Sequence, residues 1–244
     1  MMAAARASED ASTEGSAPEA ELPAPDAARR ISLNGIVKDY DTPIGVRRVL
    51  DGISFDIAMG EKIAVLGRNG AGKTTLVRLI GGVELPTLGT IERGLFMSWP
   101  IAFSGGFSPA MSGLDNIRFI SRLYDVPFKE AVAKIDDFAE LGRLLHLPVK
   151  TYSSGMRARL AFGLTLAVDF ECFLVDEVIA VGDQRFQRKC HDEIFVKRKH
   201  CSMIMVSHNP AMIRSYCNKA LVLKRGRGVV LEDVDLALKI YETL

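Results

Sequence analysis

The chain is poor in cysteine and aromatic residues and has almost no excess charge, and these shortages narrow its possible functions. The four cysteines, Cys172, Cys190, Cys201 and Cys217, form no Cys-x-x-Cys pair, and their wide spacing matches neither a zinc site nor a disulfide framework. Reduced, buried or idle thiols are expected, which favours the cytosol. Lysine and arginine total 31 against 30 acidic residues, a formal net charge of +1. No global field therefore draws the chain to nucleic acid or anionic lipid, and no nucleic-acid partner is expected. One uncharged run, Gly94 to Leu114, is long enough for a membrane span, but it contains Pro100, Pro109, four glycines and four serines, which argues against a lipid-exposed helix. No transmembrane segment is expected, so work at a membrane would require another subunit to hold the chain there. Residues 1–30 are rich in Ala, Glu, Pro and Ser, carry six acidic and three basic residues, and lack an apolar segment of secretory type. A disordered tail is the expectation for 1–30. No internal repeat is visible.

The most informative stretch is Gly67-Arg68-Asn69-Gly70-Ala71-Gly72-Lys73-Thr74-Thr75. It follows the apolar run Ile63 to Leu66 and leads into Leu76, Val77, Leu79 and Ile80, so the pattern predicts strand, loop and helix. Glycines let backbone N–H groups turn inward around a polyanion, and the helix N-terminus adds partial positive charge. Lys73 supplies a full charge, and Thr74 is placed to ligate Mg²⁺. The plainer alternative is a glycine-rich turn beside an exposed lysine.

Ordered sequence is expected from about Ile31. Ile53, Phe55 and Ile57 alternate with Ser54, Asp56 and Ala58 before a turn at Met59-Gly60, predicting a half-buried strand. The helix after the loop should stop at Gly81-Gly82, and Pro86-Thr87-Leu88-Gly89 reads as a turn. Ser112 and Asp115 start a helix in the manner of a capping box, and Phe128 to Ala139 repeats at helical spacing. A further helix is expected after Tyr152-Ser153-Ser154-Gly155, giving a small helical subdomain from about 112 to 165. Cys172 to Val175 and Met203 to Val206 are short, continuously apolar runs, as in strands buried on both faces of a parallel sheet. The basic segment from Arg185 to Lys199 reads as a solvated helix face. The chain then forms a hairpin around Lys224 to Gly228 and a short helix through Val234, Leu238 and Tyr241.

Nucleotide hydrolysis also needs Mg²⁺ held from a second side and a group that orients the attacking water. Asp176 and Glu177, at the exit of the apolar strand, suit these two tasks: Asp176 for Mg²⁺ through its water shell, Glu177 as base or water-orienter. Adjacent acids at a strand end also occur as plain surface residues. His208 ends the next apolar strand, and strand ends in an open α/β sheet gather on the ligand-binding edge. There it could contact the γ-phosphate or the attacking water. His146, His191 and His200 read as surface or packing residues.

Gly67 to Thr75, Tyr152 to Met156, Val175-Asp176-Glu177, Val181-Gly182-Asp183 and Ser207-His208 stand in the order and approximate spacing of known motifs. Together they resemble the Walker A loop, signature, Walker B strand, D-loop and switch histidine of the ABC ATPases, over about residues 31–244. The resemblance implies an α/β fold: an ABC-type P-loop nucleotide-binding domain with a mainly parallel sheet core, an antiparallel β subdomain and a small helical subdomain. It also implies ATP and Mg²⁺ as ligands and a head-to-tail dimer with two ATP molecules sandwiched between copies. Ser153, Ser154 and Gly155 would then contact ATP held by the other copy, Asp183 would lie near the dimer seam, and Tyr40 would stack on adenine. Locally, a Ser/Ser/Gly turn capping a helix and an aromatic packed before a turn fit the same residues.

Three stretches are narrower: Met97 to Phe107, the Tyr-Ser-Ser-Gly-Met signature, and Asp176 to Asp183. They are similar to ATP-binding subunits of polysaccharide exporters, the first pointing to the capsular type; O-antigen and teichoic-acid exporter subunits share the last two and are the alternative reading. The chain given ends at Leu244 without the additional carbohydrate domain of some O-antigen subunits, which favours the capsular expectation. One departure is the glutamine that normally links nucleotide to the helical subdomain. None lies between Lys73 and Asp183, since the only two are Gln184 and Gln187, and sequence order places Phe103 or Ser104 near that position. The implied protein is a cytoplasmic, peripheral ATPase subunit at the inner membrane, paired with a second copy and with a polytopic transmembrane subunit that handles the polysaccharide in its place. Glycine- and proline-rich Gly94 to Leu114, with Trp99 as an exposed apolar residue, is the expected contact with that subunit, a core connector being the alternative reading. A soluble, non-transport ABC ATPase and a non-hydrolysing regulatory module are the rivals from other classes.

Overall fold

The computed structural model describes residues 29–101, 108–176 and 183–244. The expectations for the 1–30 tail (apart from Arg29 and Arg30), Phe103, Ser104 and Glu177 lie outside the described residues.

Two sheets share the chain. The smaller is antiparallel, in the order β2-β1-β4, from β1 (Arg30–Thr42), β2 (Gly45–Ala58) and β4 (Leu88–Arg93). The larger has the order β5-β6-β7-β3-β8-β9, from β3 (Lys62–Gly67), β5 (Met97–Ile101), β6 (Cys172–Asp176), β7 (Ser202–Val206), β8 (Lys219–Lys224) and β9 (Arg227–Leu231). Its first five strands run parallel, and β9 returns antiparallel to β8.

The apolar runs take this position because successive side chains serve opposite faces. On one face Ala64, Leu66, Phe173, Val175, Met203 and Met205 join the core of the helical half. On the other, Ile63, Val65, Leu174, Ile204 and Val206 join a core with the antiparallel sheet and α1 (Lys73–Ile80). An eight-residue helix is too short to be stable by propensity. Leu76, Val77, Leu79 and Ile80 are all fully buried, each contributing roughly 1.5–3 kcal/mol. Arg93 of β4 closes the far end of α1 by donating to the Leu79 and Ile80 carbonyls at 2.6 and 2.8 Å.

The helical half holds α2 (Gly113–Leu123), α3 (Phe128–Ala139) and α4 (Ser154–Ala167). As the Ser112–Asp115 pattern predicts, Ser112 Oγ accepts from the Asp115 amide at 3.1 Å. The basic segment becomes α5 (Gln184–His191) and a π-helical turn, Asp192–Lys197. Arg185 and Lys197 are exposed there, while Lys189 and Arg198 are partly buried against Glu140 and Glu193. Then come α6 (Pro210–Tyr216) and α7 (Val234–Glu242).

Two expectations change. Leu88-Gly89 belongs to a strand, because Gly89 lets β4 approach β1: a Cβ there would lie 2.5 Å from the Asn34 and Gly35 carbonyl oxygens. Close backbone approach, as well as a turn, calls for glycine. Trp99 is not a projecting apolar residue. It sits on edge strand β5, half-buried, with its ring 5.7 Å from Tyr124 and 5.3 Å from Phe170. Pro100 is tolerated because β5 is an edge, and Ser98 Oγ repairs the irregular pairing by accepting from the Leu174 amide at 3.0 Å. Among the described residues no helix is long and apolar enough to cross a membrane.

Candidate functional site

The loop from Gly67 to Thr75 joins β3, in the middle of the large sheet, to α1. Two of its glycines, Gly67 and Gly72, are fixed by neighbours. Gly72 has φ 106°, and a Cβ on it would lie 2.7 Å from Leu50 Cδ2; one on Gly67 would lie 2.7 Å from the Leu223 carbonyl oxygen. A side chain at either position would push the loop off the strands behind it. Lys73 is buried, and its ammonium donates to the Gly67 carbonyl at 2.7 Å, holding the turn closed.

In front of the loop lies a cleft of about 500 Å³, within the range of small-molecule sites. Tyr40, Asn69, Gly70, Gly72, Lys73, Thr74, Thr75 and Asp176 line it, so the fold brings these predicted residues together. Gly67 and Ala71 shape the loop from behind. Asp176 arrives because β6 ends beside β7, with Asp176 in register with Val206. A threonine hydroxyl and a carboxylate beside a lysine are hard oxygen donors suited to a Mg²⁺ that takes its other ligands from phosphate and water. Tyr40 is half-buried: its hydroxyl donates to Glu84 at 2.5 Å, and the Lys38 ammonium lies 4.9 Å from the ring centroid. Burial, then the Glu84 contact, raises the Tyr40 phenol above its usual range. Arg47 also lines the cleft, opposite Tyr40 on β2. Nothing in its sequence neighbourhood marked it, because only the strand register brings it there.

Other predicted residues lie apart from that cleft. His208 follows β7, exposed, and lines a neighbouring groove with Gln184, Gln187 and Asn209; Val206 borders both spaces. Its Nδ1 lies 2.7 Å from the Tyr241 hydroxyl. His191, read as a surface or packing residue, bonds the Tyr216 hydroxyl through Nε2 at 2.5 Å.

Ser153, Ser154 and Gly155 open α4, with both serines exposed, and do not line the phosphate-loop cleft. Ser153 caps the helix, its Oγ accepting from the Met156 amide at 3.2 Å. The segment is anchored by Tyr152, buried and donating to the Leu144 carbonyl at 2.6 Å, and by Arg157, which donates to the Tyr152 carbonyl at 2.7 Å. Asp183 caps α5 through the Phe186 amide at 2.8 Å and accepts from Arg159 of α4 at 3.0 Å. That amide bond, with Arg159 and Arg185 nearby, holds its carboxyl below the ordinary range. Arg159 also reaches Glu140, which pairs with Arg185 and Lys189. These partners come from separate segments, and sequence reasoning missed them.

The family model described as ABC transporter matches residues 50–180. Over 211 residues the chain is 54% identical to the ATP-binding protein BexA of Haemophilus influenzae, covering 86% of this chain and 97% of that protein. The chain belongs to the ABC transporter family. It is therefore an ATP-binding subunit with ATPase activity. The chain is also 53% identical to the capsule polysaccharide export ATP-binding protein CtrD of Neisseria meningitidis serogroup B, over 88% of this chain and 99% of that one. A polysialic acid transport ATP-binding protein, KpsT of Escherichia coli, is 40% identical over 87% of this chain and 98% of its own length. Among solved structures, the ATP-binding cassette MJ0796, a dimer bound to ADP and phosphate, superposes with TM-score 0.67 at 18% identity, covering 82% of this chain and 97% of that one. An ATP-binding subunit of an ABC transporter superposes with TM-score 0.71 at 19% identity, over 86% and 92%. At such identities the likeness concerns the ABC fold alone.

Proposed function

We propose that this ABC ATPase powers export of a capsular polysaccharide, as a head-to-tail pair of copies beneath a separate polytopic transmembrane subunit on the cytoplasmic face of the inner membrane. The observation that carries the reading is identity above one half to BexA and to a capsule polysaccharide export protein, along nearly the whole length of both.

In this reading the loop N–H groups and Lys73 hold the ATP phosphates, and the Tyr40 ring stacks on adenine. Thr74 and Asp176 would hold Mg²⁺, which neutralises charge on the β- and γ-phosphates when bound. Glu177 orients the attacking water, and His208 donates to the γ-phosphate as charge develops there. Ser153, Ser154, Gly155 and the start of α4 close over the ATP of the other copy, with Asp183 near the seam. ATP binding draws the two copies together and hydrolysis releases them, so the transmembrane subunit, which alone contacts the polymer, is driven between two states.

In a capsule-producing host, Glu177→Gln should retain ATP binding and lower turnover by about 10²–10³-fold. Polysaccharide should then accumulate inside the cell and disappear from its surface. Native amounts of surface polymer alongside lost ATPase activity would contradict the proposed coupling.

A further inference from the structure

His208 is carried by the turn between β7 and α6, and its imidazole Nδ1 lies 2.7 Å from the phenolic oxygen of Tyr241 on α7. The two rings are stacked, with an interplanar angle of 29° and centroids 6.1 Å apart. Both ends of this contact are firmly placed. Asn209 caps α6 directly after His208, accepting from the Ala211 and Met212 amides, and Pro210 opens the helix. On α7, Asp233 caps the start and Ala237 and Leu238 are buried. Tyr241 packs on the core of the helical half. A second tie, Arg214 to Asp235 at 2.7 Å, joins α6 to α7 directly.

A neutral imidazole has one donor and one acceptor nitrogen, and the partner of one ring nitrogen decides which is which. We infer that Tyr241 is a positioning residue for the ATPase reaction: its hydroxyl donates to Nδ1 of His208, fixing the tautomer with the proton on Nε2 and the ring orientation in which that proton faces away from α7. Nε2–H is the form that can donate to a phosphoryl oxygen. The opposite tautomer would present a lone pair to an anion. α7, the last helix of the chain and remote in sequence from every motif, thereby becomes part of the reaction's support. The inference rests on the role proposed above for His208.

Tyr241→Phe in the full chain removes the hydroxyl and keeps the ring. Steady-state ATPase kinetics should show kcat lower by about tenfold with KM for ATP essentially unchanged. ¹⁵N NMR of histidine-labelled protein, at a pH where the imidazole is neutral, should show His208 moving from the Nε2–H pattern toward a mixture of tautomers. The signal is assigned by its loss in His208→Gln, and the double variant should be no slower than His208→Gln alone. Tyr216→Phe, which removes the corresponding contact to His191, should shift the His191 signal and leave kcat as it was. If His208→Gln turns over normally, the role proposed for His208 itself fails and the inference with it. If His208→Gln is impaired while Tyr241→Phe keeps the native kcat, exceeds it, or is slow with an unchanged tautomer pattern, the inference is overturned while the reading of His208 survives.

Discussion

Two helices in this chain begin at small-residue turns, α1 after Gly72 and α4 after Ser153, and their surroundings differ. The start of α1 is enclosed: Leu50 and Leu223 press on the loop from behind, Lys73 is buried, and Asp176 and Tyr40 face it across one cleft. The start of α4 is held by its own helical half. Tyr152 is buried and bonded, Ser153 caps the helix, and the serines face solvent. Among the described residues, one turn has cleft-lining neighbours in its own chain and the other has scaffolding. The head-to-tail pair proposed above would supply what the second lacks, since in a two-fold assembly each copy can present its α4 turn to the other's cleft.

The comparison breaks most readily at Lys73. Lys73→Ala should reduce turnover by at least about 10²-fold and weaken ATP binding about tenfold or more, as read by ATPase assay and nucleotide titration. Unchanged values for both would remove the basis of the site. Gly155→Asp should also lower turnover by about 10²-fold, yet leave ATP affinity of the isolated chain within about twofold, because it removes an interaction made only in the closed state. An equal loss of affinity, in a variant with native melting behaviour, would place the α4 turn at its own chain's cleft.

How much of this comparison was legible in the sequence depended on how local each signal is. The loop was readable because glycine, lysine and threonine act within nine consecutive residues. Strands β3, β6 and β7 were readable because burial on both faces makes their central residues continuously apolar. The capping serine of α2 was readable because its partner lies three residues away. By contrast, β4 is an exposed strand of mixed charge, and Gly89 has the composition of a turn. Trp99 was misplaced because its aromatic partners, Tyr124 and Phe170, lie on distant segments. The bonds from Arg159 to Asp183 and from Tyr241 to His208 are also tertiary, and no spacing rule announces them.

Smaller effects sharpen the same contrast. Gly72→Ala should destabilise the fold by about 1–3 kcal/mol, because the backbone there has φ 106° and Leu50 occupies the space. The fall should appear as a lower denaturation midpoint, and native stability would show that the loop is not braced from behind. Arg159→Ala should cost at most about 1 kcal/mol, since its carboxylate partners are substantially exposed. Asp183 should keep its cap on α5, so far-UV circular dichroism should not change. A larger loss would mean that the α4 turn is braced by this network as firmly as α1 is by the sheet.

The central claim is that neither turn completes a site without a second copy, and mixing two inactive variants tests it most directly. Lys73→Ala carries an intact α4 turn, and Gly155→Asp carries an intact phosphate loop. In a paired dimer of the two, one composite site is whole and the other is doubly defective. The account predicts that mixing the separately inactive proteins in equal amounts restores ATP turnover, up to about one quarter of the native rate if copies pair at random and sites act independently. No recovery from a mixture shown to contain the paired species, or full turnover by a demonstrably monomeric native chain, would contradict it.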